Sequence, residues 1–258
     1  MPALTHADEH RGAHAHAHAH APAPEPECFD LKLIAPQPWK NGAGLTREIA
    51  VARNAATEPG FDWRLSVAEV AHDAPFSAFP GVERCIVLLH GAGLQLHVDD
   101  GRLDQRLDHS LDHRLDHHLD HRLDTPFVPF HFPGDVPLHA TLLGGPSTDF
   151  NVMVRRTAWR AEVTCHHAAA DVPGATVLML LACAGEWQIE TGIEIESGHG
   201  AAPTLTLGSD QGLLWRESSA PGPRREPSAP AIAIHPKPLH AGREARLLVV
   251  RLCHDHAP

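Results

Sequence analysis

Apolar and polar residues alternate with a period of two along most of the chain, which predicts strands rather than helices. Residues 61–70 (FDWRLSVAEV) put Trp63, Leu65 and Val67 on one side and Arg64, Ser66, Ala68 and Val70 on the other. Residues 45–51 repeat the design, with Thr46, Glu48 and Ala50 opposite Leu45, Arg47, Ile49 and Val51. Asn151, Met153 and Arg155 alternate with Phe150, Val152 and Val154 in a third case. Further strands are expected at 84–90, 94–98, 136–143, 161–166, 176–184, 204–207, 213–216, 231–234 and 245–252. No stretch keeps a 3.6-residue period beyond about two turns. The pattern restarts after Arg156, so the chain reads as two successive all-β halves that divide near residues 155–160.

Three segments fall outside this pattern. Residues 1–27 carry an alternating Ala-His tract followed by Pro-spaced Ala and Glu, a composition that cannot bury a core and is expected to be a disordered, His-rich tail. Residues 103–124 repeat Leu-Asp-x-x without interruption. As a helix this repeat would set its aspartates at i,i+4, where they repel; as one strand it would be far too long. It is expected to be a solvent-exposed, part-helical expansion of a hairpin loop, where added length costs little closure entropy. Residues 218–230 form a Pro/Ser/Arg loop.

Composition sharpens the picture. The 258 residues include 23 prolines and 20 glycines, which suits many short strands joined by tight turns. With 21 Lys+Arg against 32 Asp+Glu the formal charge is −11, and no basic run stands out, so a nucleic-acid partner is not expected. No apolar run approaches the ~18 residues of a membrane span, and no compact apolar leader is visible. The expected location is the cytoplasm, with no membrane partner. Five scattered cysteines without a CxxC read as reduced thiols, Cys85 and Cys183 among them in apolar strand runs. The sequence leaves a homodimer open.

The three alternating strands carry the candidate chemistry. Small polar residues and an arginine on one face fit the lining of a cavity, while an outward polar face with exposed ion pairs is the alternative. An enclosed arginine stays protonated, so it needs a carboxylate such as Glu48 or an anionic ligand. Just upstream, residues 36–48 (PQPWKNGAGLTRE) cluster turn and polar residues around Gly42 and Gly44; no helix pattern follows, which rejects a dinucleotide-phosphate loop.

The motif Pro38-Trp39-Lys40-Asn41-Gly42-x-Gly44-x-Thr46-x-Glu48-Ile49 resembles the opening of the HutD/Ves family. It is followed by Phe61-x-Trp63-Arg64-x-Ser66-x-Ala68, Pro75-Phe76-Ser77-x-Phe79-Pro80-Gly81, Phe132-x-Gly134-Asp135 and Gly144-Gly145-Pro146-x-x-Asp149-Phe150-Asn151-Val152-Met153-x-Arg155-Arg156. The resemblance covers roughly residues 29–253. It implies two cupin-like β-barrel halves (a bicupin): residues 28–156, with 103–124 inserted, and residues 157–258. It also implies a non-catalytic protein that binds a small carboxylate, such as N-formylglutamate or urocanate, and tunes histidine utilisation. The positions implied for the cavity are Thr46, Glu48, Arg64, Ser66, Asn151 and Arg155, with Lys40 beside them; Arg64 would hold the carboxylate and Glu48 would orient it. No catalytic residue and no cofactor are expected.

Two rival functions remain. A metal-independent cupin isomerase or epimerase would need a cavity base such as His beside a Tyr or Lys acid; the chain has no Tyr. A metal-buffering protein would use the low-complexity histidines, which hold eleven of the 23, including His14, His16, His18 and His20 in the tail and His113 and His117 in the repeat. In the remaining body the His-x-His pattern occurs only as His254-Asp255-His256, His166 and His167 are adjacent, and His97, His131 and His139 read as isolated. No metal site is expected there.

Overall fold

The computed structural model describes residues 25–58, 60–98, 119–191, 204–216, 229–238 and 244–255. The first half runs β1 (Glu27–Asp30), β2 (Gln37–Pro38), β3 (Gly44–Arg53), β4 (Phe61–Val70), β5 (Ala74–Phe76) and β6 (Val82–His90). It continues through β7 (Leu94–Val98), β8 (Asp120–Leu123), β9 (Pro129–Pro133), β10 (Leu138–Leu142) and β11 (Ser147–Arg155). The second half contains β12 (Trp159–His166), β13 (Ala170–Val172), β14 (Val177–Ala184), β15 (Trp187–Thr191), β16 (Thr204–Leu207), β17 (Gln211–Trp215), β18 (Ile232–Pro236) and β19 (Arg246–His254). The described residues hold one short 3-10 turn, Leu31–Leu33, and otherwise strands and connections, so their fold is all-β. No helix among them is long and apolar enough to cross a membrane.

The strands form four sheets: β5-β10-β7-β8, β2-β3-β4-β11-β6-β9, β1-β17-β14-β19-β12 and β13-β18-β15-β16. The six- and five-stranded sheets pack face to face across one apolar layer, where Trp63, Leu65, Val67, Phe150 and Val152 meet Val163, Met179, Leu181, Val250 and Leu252. Each has its other face turned to a smaller sheet. Ile86, Leu88, Leu94, Leu96, Phe132 and Leu138 fill the first of these spaces; Leu178, Leu180, Trp187, Ile189, Trp215 and Val249 fill the second. Strands such as β6 and β14 are buried on both faces, which is why their sequences are nearly continuous apolar runs rather than alternating ones.

Four features differ from the sequence expectations. The first strand crosses over: β1 pairs with β17 in the second half's sheet, so residues 27–30 do not stay with the half that follows them. Phe29 lies over Gly212, where a Cβ would come 2.1 Å from its ring, and Arg216 makes two hydrogen bonds to Glu27 at 2.8 and 3.0 Å. Second, a bulge interrupts β3. Glu48 faces Ser66 but Ala50 faces Leu65, leaving Ile49 unopposed. The extra residue reverses the phase, so Ala50 joins the core between the large sheets instead of sharing the side of Thr46 and Glu48.

Third, the Leu-Asp repeat is not wholly exposed. Its last residues form β8, paired to β7, with Leu123 only 3% exposed. Gly93, at φ +95, makes this approach possible, since a Cβ there would lie 2.0 Å from the Leu123 carbonyl oxygen. The rest of the repeat up to residue 118 and residues 1–24 of the tail lie outside the described residues. Leu123→Ala should therefore cost about 2–3 kcal/mol of stability in urea unfolding, whereas a solvent-exposed loop leucine would cost almost nothing. Fourth, His97 and His139 are not isolated: they pair across β7 and β10 with ring centroids 5.2 Å apart.

Candidate functional site

Three neighbouring strands, β4, β11 and β6, turn their second face away from the inter-sheet core and floor a cavity of about 490 Å³. Cross-strand register arranges the floor in rows. Arg64, Met153 and Arg84 form one row, Ser66 and Asn151 the next, and Ala68 and Asp149 a third, while Ile86 and Leu88 continue the last two rows into the neighbouring apolar cluster. One wall is the segment from Gln37 to Asn41; the opposite wall is Pro75 to Ser77 with Phe79.

The first wall is held by its own turn. Trp39 accepts from Gly42 N–H and donates its own N–H to the Gly44 carbonyl, at 3.0 and 2.9 Å. Its indole Nε1–H donates to Thr46 Oγ1 at 2.7 Å, and its ring meets Phe76 edge-on across the cavity at 6.0 Å. Gly44 is required by close approach: a Cβ would sit 2.4 Å from the Glu69 carbonyl and 3.2 Å from the Trp39 ring.

The buried cation of the cavity is Arg84, 6% exposed. Its Nη2 donates to Asn151 Oδ1 at 3.1 Å and its Nη1 to the Ser77 carbonyl at 3.4 Å. The guanidinium sits among the rings of Phe132, Phe76 and Phe79, at 4.9, 5.4 and 5.8 Å from their centroids. Asn151 passes the connection on, donating its Nδ2–H to Asp149 Oδ1. Asp149 is fully buried. Within this Arg84–Asn151–Asp149 relay, Arg84 Nε and Asp149 Oδ2 have no hydrogen-bond partner. Buried polar atoms are almost always satisfied, so a pair left open beside a cavity leaves positions for water or a ligand to fill.

Burial moves both charged groups. It lowers the Arg84 guanidinium to about 10, with Asp149 opposing and Arg64 reinforcing the shift. It raises the Asp149 carboxyl to about 7, against the pull of Asn151 and Arg84. Asp149 therefore titrates near neutrality, far above its ordinary 3.8. A raised carboxyl means that the native protein holds a proton that the unfolded chain has released between those two values. The contribution to stability is complete below about pH 4 and is lost as pH rises through about 7. Denaturation midpoints of the wild type relative to Asp149→Asn should fall across that window and level off above it.

The structure brings most of the sequence candidates together. Thr46, Arg64, Ser66, Asn151 and Lys40 all line the cavity. Glu48 stands behind Arg64, its Oε2 3.0 Å from Arg64 Nε, while its Oε1 takes Arg53 at 3.1 Å. The Arg64 Nε–H is not aligned for a hydrogen bond with it. Arg155 does not reach the cavity: its Nε donates to Asp62 at 2.9 Å and its Nη1 to Thr157 at 2.9 Å. Arg84 and Asp149 were missed. Arg84 opens an apolar run and looks like a strand terminus, yet it is in phase with Ile86 and Leu88, both fully buried. That phase was the available signal.

Among the described residues no group of three or more His, Cys, Asp or Glu side chains could hold a metal ion. His14, His16, His18, His20, His113 and His117 lie outside them. His254 packs on Trp159 with centroids 4.0 Å apart, and His166 pairs with Thr164 at 3.0 Å. Burial pushes the Cys85 and Cys183 thiols up to about 12, which leaves neither as a thiolate nucleophile.

The fold and the site define an all-β protein whose six-stranded sheet carries a cavity lined by a buried arginine. The HutD family profile matches residues 32–225. Protein Ves of Citrobacter koseri is 32% identical over 192 residues, covering 74% of this chain and 83% of that protein. A conserved protein of unknown function from Pseudomonas aeruginosa shares the fold at TM-score 0.65 and 25% identity, over 89% of this chain and all of that one. HutD from Pseudomonas fluorescens superposes at TM-score 0.62 with 24% identity, over 89% of this chain and 99% of that one. The chain belongs to the HutD family.

Proposed function

We propose that the protein binds a small carboxylate in the cavity over β4, β11 and β6 and, without converting it, tunes histidine utilisation in the cytoplasm. On this reading the two stacked halves are cupin-like barrels, and the first holds the ligand. Family membership supports the link to histidine utilisation. The observation that carries ligand binding is the open Arg84–Asn151–Asp149 chain, with one donor and one carboxyl oxygen left unpaired beside the cavity. A carboxylate is the complementary ligand: it accepts from Arg84 and from Arg64, a guanidinium on each side of Met153. Lys40 at the exposed mouth and Ser66 on the floor add donors.

N-formylglutamate and urocanate are the candidates, with glutamate as the control. Calorimetry should detect one of them, and Arg64→Ala should weaken it about tenfold, the cost of one charge-assisted hydrogen bond at a half-open position. Silence from all three ligands, or the same affinity in Arg64→Ala, removes the proposal.

A further inference from the structure

We infer that the cavity takes up its carboxylate together with one proton, which comes to rest on Asp149. This rests on the reading of the cavity as a carboxylate site and adds how that binding is regulated.

Counter-ion balance in the buried cluster requires the proton. In the empty cavity the buried positive charge of Arg84 is balanced through Asn151 by the buried carboxyl of Asp149. An entering carboxylate that accepts from Arg84 becomes the nearer counter-ion. Two carboxylates would then share one guanidinium in a space walled by Phe76, Phe79 and Phe132. Like-charged carboxyls in one low-dielectric site do not both stay ionised; one takes a proton. Asp149 is the one placed to do so. Its Oδ1 accepts from Asn151, while Oδ2 has no partner, so a proton on Oδ2 turns an orphaned acceptor into a donor for the ligand. The change is balanced: one carboxylate and one solvent proton enter, and the buried cluster keeps its net charge.

The other charges around Asp149 do not replace this exchange. Arg64 on β4 is held by Glu48 of β3, which also holds Arg53. Lys40 lies at the exposed mouth. Pro75, Phe76, Ser77 and Phe79 on the opposite wall carry no titratable group. Burial has already raised Asp149 to about 7, so its protonation responds to a nearby anion in the neutral range.

The test uses the full chain and N-formylglutamate, whose own carboxyls stay ionised between pH 7 and 9. Calorimetry in two buffers of different ionisation enthalpy should show uptake approaching one proton per ligand at pH 8.5. The dissociation constant should rise about tenfold per pH unit above pH 8. Infrared difference spectra of the wild type at pH 8.5 should show a protonated-carboxyl band appearing on ligand addition. Asp149→Asn should lose both the proton uptake and the pH slope. Binding that is flat from pH 7 to 9 with buffer-independent heat overturns the inference and leaves the carboxylate reading standing. The wild-type slope persisting in Asp149→Asn also overturns it. No binding of N-formylglutamate, urocanate or glutamate at any pH from 6 to 9 removes the carboxylate reading itself, and the inference with it.

Discussion

Arg84→Ala is expected to weaken carboxylate binding at least ~100-fold, more than any other single change in the cavity. Both arginines carry an unpaired Nε–H, but Arg64 is half-open and faces Glu48, whereas Arg84 is buried among three phenylalanine rings. Its removal takes away the donor that the ligand would complete and leaves Asp149 without its cation. Arg84→Lys should recover little of this. An ammonium cannot reach Asn151, the Ser77 carbonyl and a ligand in the forked geometry of a guanidinium. Titration calorimetry on both variants, with a urea melt to confirm folding, decides it. A loss of tenfold or less in a folded Arg84→Ala protein would place the ligand elsewhere.

Trp63→Ala should be the most damaging change outside the cavity, at about 3–5 kcal/mol. Trp63 is 3% exposed and meets Trp159 edge-on, with centroids 6.5 Å apart and planes at 71°. The two indoles belong to different halves, so the truncation opens a void in the layer that joins the large sheets. Urea unfolding followed by circular dichroism measures the cost. A loss below about 1 kcal/mol would mean that this layer collapses around the void or contributes little to cohesion.

How much of this was legible in the sequence depended on the element. Residues 61–70 alternate cleanly because β4 buries different chemistry on its two faces, and they fold as the strand Phe61–Val70 with Arg64 and Ser66 over the cavity. The register of β3 was not legible past Glu48, because a bulge follows from pairing with β4 and leaves no mark in the hydrophobic pattern. Short strands such as Ala74–Phe76 and Pro129–Pro133 carry prolines and have too few residues to show a period. They exist because a longer partner holds them. In the cavity, Thr46, Ser66, Arg64 and Asn151 stood out as polar residues within apolar alternation. Arg84 was hidden at the start of an apolar run and Asp149 within a turn-rich motif, and only cross-strand register shows that Asn151 joins them. Arg155 shared the right strand face but sits at its end, where Asp62 captures it. Periodicity reports which side a residue is on, not how far along the floor it lies.

The strand at the tip of the Leu-Asp repeat has a consequence for how this chain can change. The repeating unit is four residues long, an even number, and side chains on a strand alternate every two. Gaining or losing a whole unit between β7 and β8 therefore brings another leucine to the place of Leu123, facing the same way. Leu119-Asp120-His121-Arg122 and Leu115-Asp116-His117-His118 are near copies in this respect. Copy number can drift through replication slippage while the margin of the β5-β10-β7-β8 sheet still sees a leucine at the same depth, packed with Leu94 and Leu96.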